Sequence, residues 1–186
     1  MVADSAADAI LVERALSGDH LAFAQLARRH GPRLARTIRA LGIDASAVED
    51  VTQLALVAAW RALAEYDPSR SFAAWVSVIG ANKARDWRRR QLSRGRPAIH
   101  QTLDAVDVST VRDPRAGADA MDNHVELHRV ARALDRLPEH LKVPMIMASA
   151  GGLTQPEIAI ALGLSAKTIE SRIARARARL VKLLNR

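Results

Sequence analysis

The sequence contains no cysteine, which excludes disulfides, thiolate zinc sites and thiol catalysis. Aromatic residues, which β-strands favour, make up only 3% of the 186 residues. Alanine, leucine and arginine dominate instead, and all three are good helix formers. The composition therefore predicts an all-α protein, and the length allows two small helical domains.

Long apolar runs are also missing, since no stretch reaches the roughly 18 residues of a membrane span. The first residues are acidic and lack the basic start of a signal peptide. We therefore expect a cytoplasmic protein with no membrane insertion.

Signatures of catalysis and metal binding are scarce. The sequence shows no glycine-rich phosphate loop, nucleophile elbow or paired-carboxylate cluster. His124 and His128 are one helical turn apart, but neither cysteine nor a carboxylate pair accompanies them. We expect a protein that is not an enzyme and that has no cofactor and no metal site.

Positive charge is abundant and unevenly placed. The net charge is +8, and basic residues far outnumber acidic ones in residues 83–96 and again in residues 165–186. Residues 97–126 between them are acidic. Two basic patches joined by an acidic stretch indicate two nucleic-acid contacts connected by a tether.

Helical patterns fill the chain on both sides of that acidic stretch. Residues 1–91 contain four predicted helices, for which Asp19 and Ser71 are predicted N-caps and Ser46 with Glu49 a predicted capping box. From residue 92 to residue 124 the periodicity is lost, which predicts a flexible acidic linker. Residues 125–186 return to helical periodicity and form the second predicted domain.

A helix-turn-helix pattern covers Gly152 to Arg179. Thr154-Gln155-Pro156-Glu157 begins a short helix, Gly163-Leu164-Ser165 supplies a turn, and a long basic helix follows. Ile169 and Ile173 lie on its predicted core side. Residues on the opposite side can enter a DNA major groove, namely Lys167, Glu170, Ser171, Ala174 and Arg175. Flanking arginines would meet phosphates, namely Arg172, Arg177 and Arg179.

Together these segments resemble the extracytoplasmic-function sigma factors of bacterial RNA polymerase. GGLTQPEIAIALGLSAKTIESRIARARARL is similar to the family's fourth region, which reads the upstream, minus-thirty-five promoter element. VEDVTQLALVAAWRAL and SFAAWVSVIGANKARDWRRR are similar to its second region, which binds the polymerase clamp and melts the minus-ten element. The resemblance implies a transcription initiation factor that directs core RNA polymerase to promoter DNA and helps to open it.

The resemblance also implies partners and site residues. Asp50 and Gln53 correspond to the contact with the clamp of the largest polymerase subunit, and the second domain corresponds to the part that meets the flap. Leu54 and Glu170 depart from the family pattern, which usually has Glu and a basic residue there. An anti-sigma factor is a further implied partner. The implied downstream DNA-binding residues are Tyr66, Asp67, Ser69, Arg70, Ser71, Asn82, Lys83, Arg85, Arg88 and Arg89.

Two other classes of protein share parts of the pattern. Helix-turn-helix response regulators carry a similar G-L-T-x-x-E-I-A motif, but the basic helix that contains Asn82 and the arginines after the recognition helix favour a sigma factor. A DNA-processing enzyme would need an acidic triad, for which the sequence offers no plausible set.

Overall fold

The computed structural model describes residues 2–93, 126 and 129–185, and all regular secondary structure in these ranges is helical. The predicted all-α class is therefore confirmed. Within these ranges, the first domain has four α-helices and a short 3-10 helix at Leu63–Glu65, and the second has three complete α-helices and a helical stretch at residues 129–135. The helices are α1 Val2–Leu16, α2 His20–Ala40, α3 Ala45–Arg61, α4 Phe72–Ser93, α5 at residues 129–135, α6 Glu139–Ser149, α7 Gln155–Leu162 and α8 Ala166–Leu184.

Several helix starts lie where side-chain chemistry predicts them. Asp19 caps α2 by accepting hydrogen bonds from the backbone N–H groups of Leu21 and Ala22, at 3.0 and 3.2 Å. Ser71 caps α4 by accepting from the backbone N–H of Ala74 at 3.3 Å.

The predicted capping box of α3 is wrong. This helix begins at Ala45 after Asp44, so Ser46 and Glu49 already lie inside it. Gly42, with φ of +89°, ends the preceding segment, and the chain turns into α3 two residues earlier than the motif suggested.

Helices α2, α3 and α4 enclose the core of the first domain. Leu26, Leu34, Val51 and Phe72 are almost fully buried in it. Gly80 brings α4 close to α2, since a Cβ at this position would lie 2.5 Å from Leu34 Cδ1. The close contact explains why the helix contains glycine there despite its low helix propensity.

A buried polar cluster connects α1 to α2. One carboxylate oxygen of Asp8 accepts a hydrogen bond from Arg29 Nη1 at 2.6 Å, and the other lies 2.8 Å from His30 Nε2. Burial opposes ionisation of Asp8, but the hydrogen bonds and charges of His30 and Arg29 outweigh it and lower the pKa of Asp8.

Helices α6, α7 and α8 pack together in the second domain, and a buried lysine lies among them. Ile146, Ile158 and Ile169 are almost fully buried. The ammonium group of Lys142, which has no exposed surface, donates to Asp135 Oδ1 at 2.8 Å. Pairing of this kind is what a buried charge requires.

The two domains pack against each other. Helix α4 contacts α6 and α7, α2 contacts α6, and a single buried apolar cluster includes residues of both domains. Residues 94–125 lie outside the described ranges, so most of the predicted linker, 92–124, does too. Among the helices that are described, none has the length and apolar character of a membrane span.

Candidate nucleic-acid and polymerase interfaces

The helix-turn-helix has its local geometry fixed by caps. The side chain of Thr154 accepts from the backbone N–H of Glu157 at 3.4 Å, and Glu157 in return accepts from the backbone N–H of Thr154 at 2.8 Å. Helix α7 ends at Leu162 and is capped by Gly163, whose φ of +65° favours glycine. Ser165 then caps α8 by accepting from the backbone N–H of Thr168 at 3.1 Å. Two capped helices joined by a short turn are thus present as predicted.

Helix α8 separates a core side from an outward side. Ile169, Ile173 and Ala176 are buried, as the helical spacing predicted. The structure places the eight predicted upstream-element residues on the rest of the helix, where Arg172 is half-buried and seven are exposed: Lys167, Glu170, Ser171, Ala174, Arg175, Arg177 and Arg179. An exposed, largely basic helix surface of this type can enter a major groove.

Tyr66 lies in the core and not on the surface of the predicted base-capturing loop. Its ring contacts Phe72 and Trp75 with centroid distances of 5.4 and 5.0 Å, and its hydroxyl donates to the carbonyl oxygen of Arg70 at 2.5 Å. Burial, followed by the negative charges of Asp8 and Asp67, raises the pKa of Tyr66 to about 12. In this conformation the ring supports the loop and offers no open face for stacking on a base.

Asp67 organises the exposed part of the same loop. Its Oδ1 accepts from the side chain and the backbone N–H of Ser69 at 2.7 and 3.0 Å, and its Oδ2 accepts from Arg70 Nε at 3.0 Å. The hydrogen bonds from Ser69, then the Arg70 interaction, lower the pKa of Asp67. Ser69 and Arg70 are exposed, and Ser71 is half-buried beside them.

Helix α4 carries the other predicted downstream residues. Asn82 is exposed, and its side-chain oxygen accepts from Arg85 Nη1 at 3.4 Å. Lys83 is half-buried, whereas Arg89 is exposed and pairs with Asp86 of its own helix at 3.1 Å.

Arg88 differs from its neighbours because it contacts the second domain. Its Nη1 lies 3.2 Å from Glu139 Oε1, and its Nη2 lies 3.6 Å from Asp135 Oδ1. Sequence reasoning missed these two carboxylates, because nothing in a linear pattern relates residue 88 to residues 135 and 139.

The predicted polymerase contact lies on one side of α3. Asp50 and Gln53 are exposed, and Leu54 and Val57 extend the same side with 51% and 48% of their surfaces exposed. Adjacent exposed apolar side chains can contribute to a protein contact surface. Leu54 departs from the family pattern and so stands out in the sequence, whereas Val57 does not, although both lack the core spacing of Val51 and the other buried residues.

A cavity of about 600 Å³ lies between the domains, lined by the loop Ser69 to Ser71, by Trp75, and by Glu157 and Ile160 of α7.

Within the described ranges, no group of three or more His, Asp or Glu residues could hold a metal ion. His124 and His128 lie outside those ranges.

Two families match the chain in the order of its domains. The family described as Sigma-70 region 2 matches residues 26–94, and the family described as Sigma-70, region 4 matches residues 127–180.

Whole proteins match over nearly the full length. RNA polymerase sigma factor NccH of Alcaligenes xylosoxydans xylosoxydans is 41% identical, over 97% of this chain and 96% of that protein. ECF RNA polymerase sigma factor SigM of Mycobacterium tuberculosis is 32% identical, over 95% of this chain and 84% of that protein. The solved structure of CnrH in complex with the cytosolic domain of CnrY is 40% identical, with a TM-score of 0.67 over 96% of this chain and 97% of that one.

Proposed function

Because the chain belongs to the extracytoplasmic-function sigma factors, which bind core RNA polymerase, direct it to promoters and help to open the DNA, we propose how its surfaces divide that work. The observation that carries the proposal is the presence, on one chain, of a capped helix-turn-helix with an exposed basic helix and a separate helical domain with an exposed loop and a basic helix. Residues 1–91 and 125–186 are the proposed domains, and 92–124 the proposed linker.

In this proposal, α8 reads the upstream promoter element. Lys167, Glu170 and Arg175 approach base edges, since Lys and Arg donate to guanine and Glu accepts from cytosine. Arg172 and Arg179 contact phosphates and so set the register of the helix in the groove. Lys167, Glu170, Arg175 and Arg179 are exposed and Arg172 is half-buried, while Ile169 faces the core, which supports the assignment.

The loop before α4 and the exposed side of α4 receive the downstream element. Ser69 and Arg70 offer hydrogen-bonding groups to an unpaired base, and Asn82 offers an amide that can both donate and accept. Tyr66 acts on this surface through the hydrogen bond to Arg70 that fixes the loop. The arginines and Lys83 of α4 follow the phosphates.

The exposed side of α3 binds the polymerase clamp. Asp50 and Gln53 supply polar contacts, and we add Leu54 and Val57 as apolar contacts of the same surface. Burying apolar side chains on binding contributes roughly 25 cal/mol per Å² removed from water. The replacement of a usual Glu by Leu54 therefore keeps a contact surface and changes its chemistry.

An anti-sigma factor is the proposed regulator. The support is the related CnrH, whose solved structure is a complex with the cytosolic domain of CnrY. We also propose that the protein acts in the cytoplasm and has no catalytic activity of its own.

Reconstituted transcription tests the proposal. Purified protein added to core RNA polymerase should give transcripts from specific promoters selected from a randomised library. A response-regulator type of protein would bind DNA without supporting transcription by core enzyme, and a DNA-processing enzyme would cut or join DNA in a metal-dependent way.

A matched pair of variants tests the polymerase surface. Asp50→Arg should weaken binding to core polymerase, whereas Glu13→Arg, an equal charge change at an exposed position of α1, should leave it intact. Equal effects of the two variants would contradict the assignment of α3 to the clamp.

A further inference from the structure

Helix α1 carries a buried carboxylate that orients a histidine of α2. The side chains of Asp8 and His30 are 5% and 9% exposed, and Asp8 Oδ2 lies 2.8 Å from His30 Nε2. The other oxygen of Asp8 accepts a hydrogen bond from Arg29 Nη1 at 2.6 Å. Because an ionised carboxylate can only accept hydrogen bonds, His30 Nε2 is the donor, and the bond fixes the orientation of the imidazole ring.

The imidazole ring packs against the start of α4. Its centroid lies 5.1 Å from that of Phe72, the first residue of α4, and the Phe72 ring lies 5.4 Å from the ring of Tyr66. Tyr66 and Phe72 flank the loop 67–71 on its two sides, and the Tyr66 hydroxyl donates to the carbonyl oxygen of Arg70 within it. A continuous set of contacts therefore connects α1 with both ends of the loop.

Helix α1 also lies close to the loop itself. It contacts the 3-10 helix that leads into Tyr66, and Asp8 and His30 line the same cavity as Ser69 and Arg70. Burial raises the pKa of Tyr66, and the negative charge of Asp8 adds to this increase, as expected for groups that are near each other. Helix α1 thus supports the loop, although it contributes no residue to the predicted DNA surfaces.

We propose that Asp8 and His30 are positioning residues for strand opening, which hold Phe72, and through it the loop 67–71, in the conformation that captures an unpaired base. This inference rests on the proposed function of the loop. Neither residue contacts DNA in it. A loop that already has its bound conformation loses less conformational freedom when a base binds, so capture competes better with base pairing in the duplex.

The effect of the pair should depend on the DNA template. Opening of a duplex uses the free energy of base capture, whereas the bases of a pre-melted promoter are already unpaired. A loosened loop should therefore reduce transcription from the duplex more than from the pre-melted promoter. A smaller fraction of folded protein would instead reduce transcription from both templates alike.

Two variants and a control test the proposal in the full chain with core polymerase. Asp8→Ala removes the bond to His30, and His30→Gln keeps a donor for Asp8 but removes the ring from Phe72. Val12→Ala is the control, because Val12 is a fully buried apolar residue of the same helix. Its truncation weakens the packing of α1 and retains the Asp8 and His30 side chains. Each protein is assayed on duplex and pre-melted forms of one promoter, and its stability is measured by urea unfolding.

Asp8→Ala is expected to lower the ratio of duplex to pre-melted transcription by about three- to tenfold, since one hydrogen bond to a charged group can account for a factor of this size. His30→Gln should lower the ratio in the same direction. Val12→Ala should unfold at a lower urea concentration and keep the ratio of the parent.

A parent-like ratio in Asp8→Ala or in His30→Gln would overturn the proposal. An equal fall in Val12→Ala would overturn it as well, because the pair would then act only through the stability of α1. If Asp8→Ala does not fold, the comparison of His30→Gln with Val12→Ala decides by the same criterion. The proposed function fails by a different result, namely the absence of promoter-specific transcripts from the parent protein with core polymerase.

Discussion

Tyr66→Phe separates two roles for the same residue, because it deletes the hydroxyl and keeps the ring. In the structure the hydroxyl donates to the carbonyl oxygen of Arg70, while the ring packs against Phe72 and Trp75. A role in stacking on a base needs the ring alone, whereas a role in fixing the loop needs the hydroxyl. The variant therefore tells whether the loop depends on this hydrogen bond.

The expected magnitude follows from the bond that is lost. One neutral hydrogen bond contributes about 1 kcal/mol net, so the free energy of unfolding should fall by about that amount. If the loop must be fixed before it captures a base, promoter opening should fall by about fivefold, since 1.4 kcal/mol corresponds to about tenfold. Tyr66→Ala removes the ring as well and should destabilise the protein by about 3 to 5 kcal/mol.

The alkaline pH dependence gives an independent readout. The pKa of Tyr66 is about 12 in the folded protein against 10.0 ordinarily, so the unfolded state loses this proton first as pH rises. The stability that Tyr66 contributes is complete below pH 10 and is lost between pH 10 and 12. Tyr66→Phe should lose stability less steeply over that window.

Urea unfolding and transcription from duplex and pre-melted templates measure these effects. Tyr66→Phe should impair the duplex template more than the pre-melted one and leave upstream binding intact. A variant with parent-like stability and parent-like opening would refute the loop-fixing role. Full activity in Tyr66→Phe with none in a folded Tyr66→Ala would instead support stacking by the ring.

Other predictions concern the two DNA surfaces and the cluster at α1. Glu170→Lys should strengthen nonspecific DNA binding and change base preference at the upstream element by about 1 to 3 kcal/mol per base pair. Arg172→Ala should weaken binding to all sequences alike and reduce by about one the slope of log affinity against log salt concentration. Selection on randomised duplexes at two salt concentrations measures both, and a changed preference in Arg172→Ala alone would contradict the assigned orientation. Asn82→Ala should leave folding and polymerase binding intact and impair opening of duplex more than of pre-melted promoters; equal losses on both templates, with single-strand capture unchanged, would contradict its role. The folded-state pKa of Asp8 is lowered beside His30, so the stabilisation by Asp8 is present above about pH 4 and is lost as pH falls further. Acid unfolding of Asp8→Asn should therefore depend less on pH than that of the parent. Identical acid unfolding profiles would contradict the stabilising role of this cluster.

Local chemistry accounts for most of what the sequence predicted correctly. Asp19, Ser71, Thr154 and Ser165 each satisfy backbone N–H groups within the next few residues, so their roles depend on neighbours that are adjacent in the chain. The spacing of Ile169 and Ile173 likewise reports which side of α8 is buried, because the helical period is fixed.

A local pattern is not enough where longer-range structure competes with it. Ser46 and Glu49 have the right residue types for a capping box, but α3 begins before them at Ala45. Tyr66 occurs in a polar turn that suggests exposure, yet Phe72 and Trp75 from the next helix enclose its ring. Burying a large aromatic ring is favourable, and its hydroxyl finds a partner in Arg70.

By itself, the sequence determined the helical class, the helix-turn-helix and the basic side of α8, because caps, turns and helical periodicity act over a few residues. Only the tertiary structure decided that Arg88 meets Asp135 and Glu139. These pairs join residues that are far apart in the chain, and no periodicity encodes them. Charge complementarity between domains exists only once both have folded and packed, which is why the basic side of α4 could be predicted and its contacts could not.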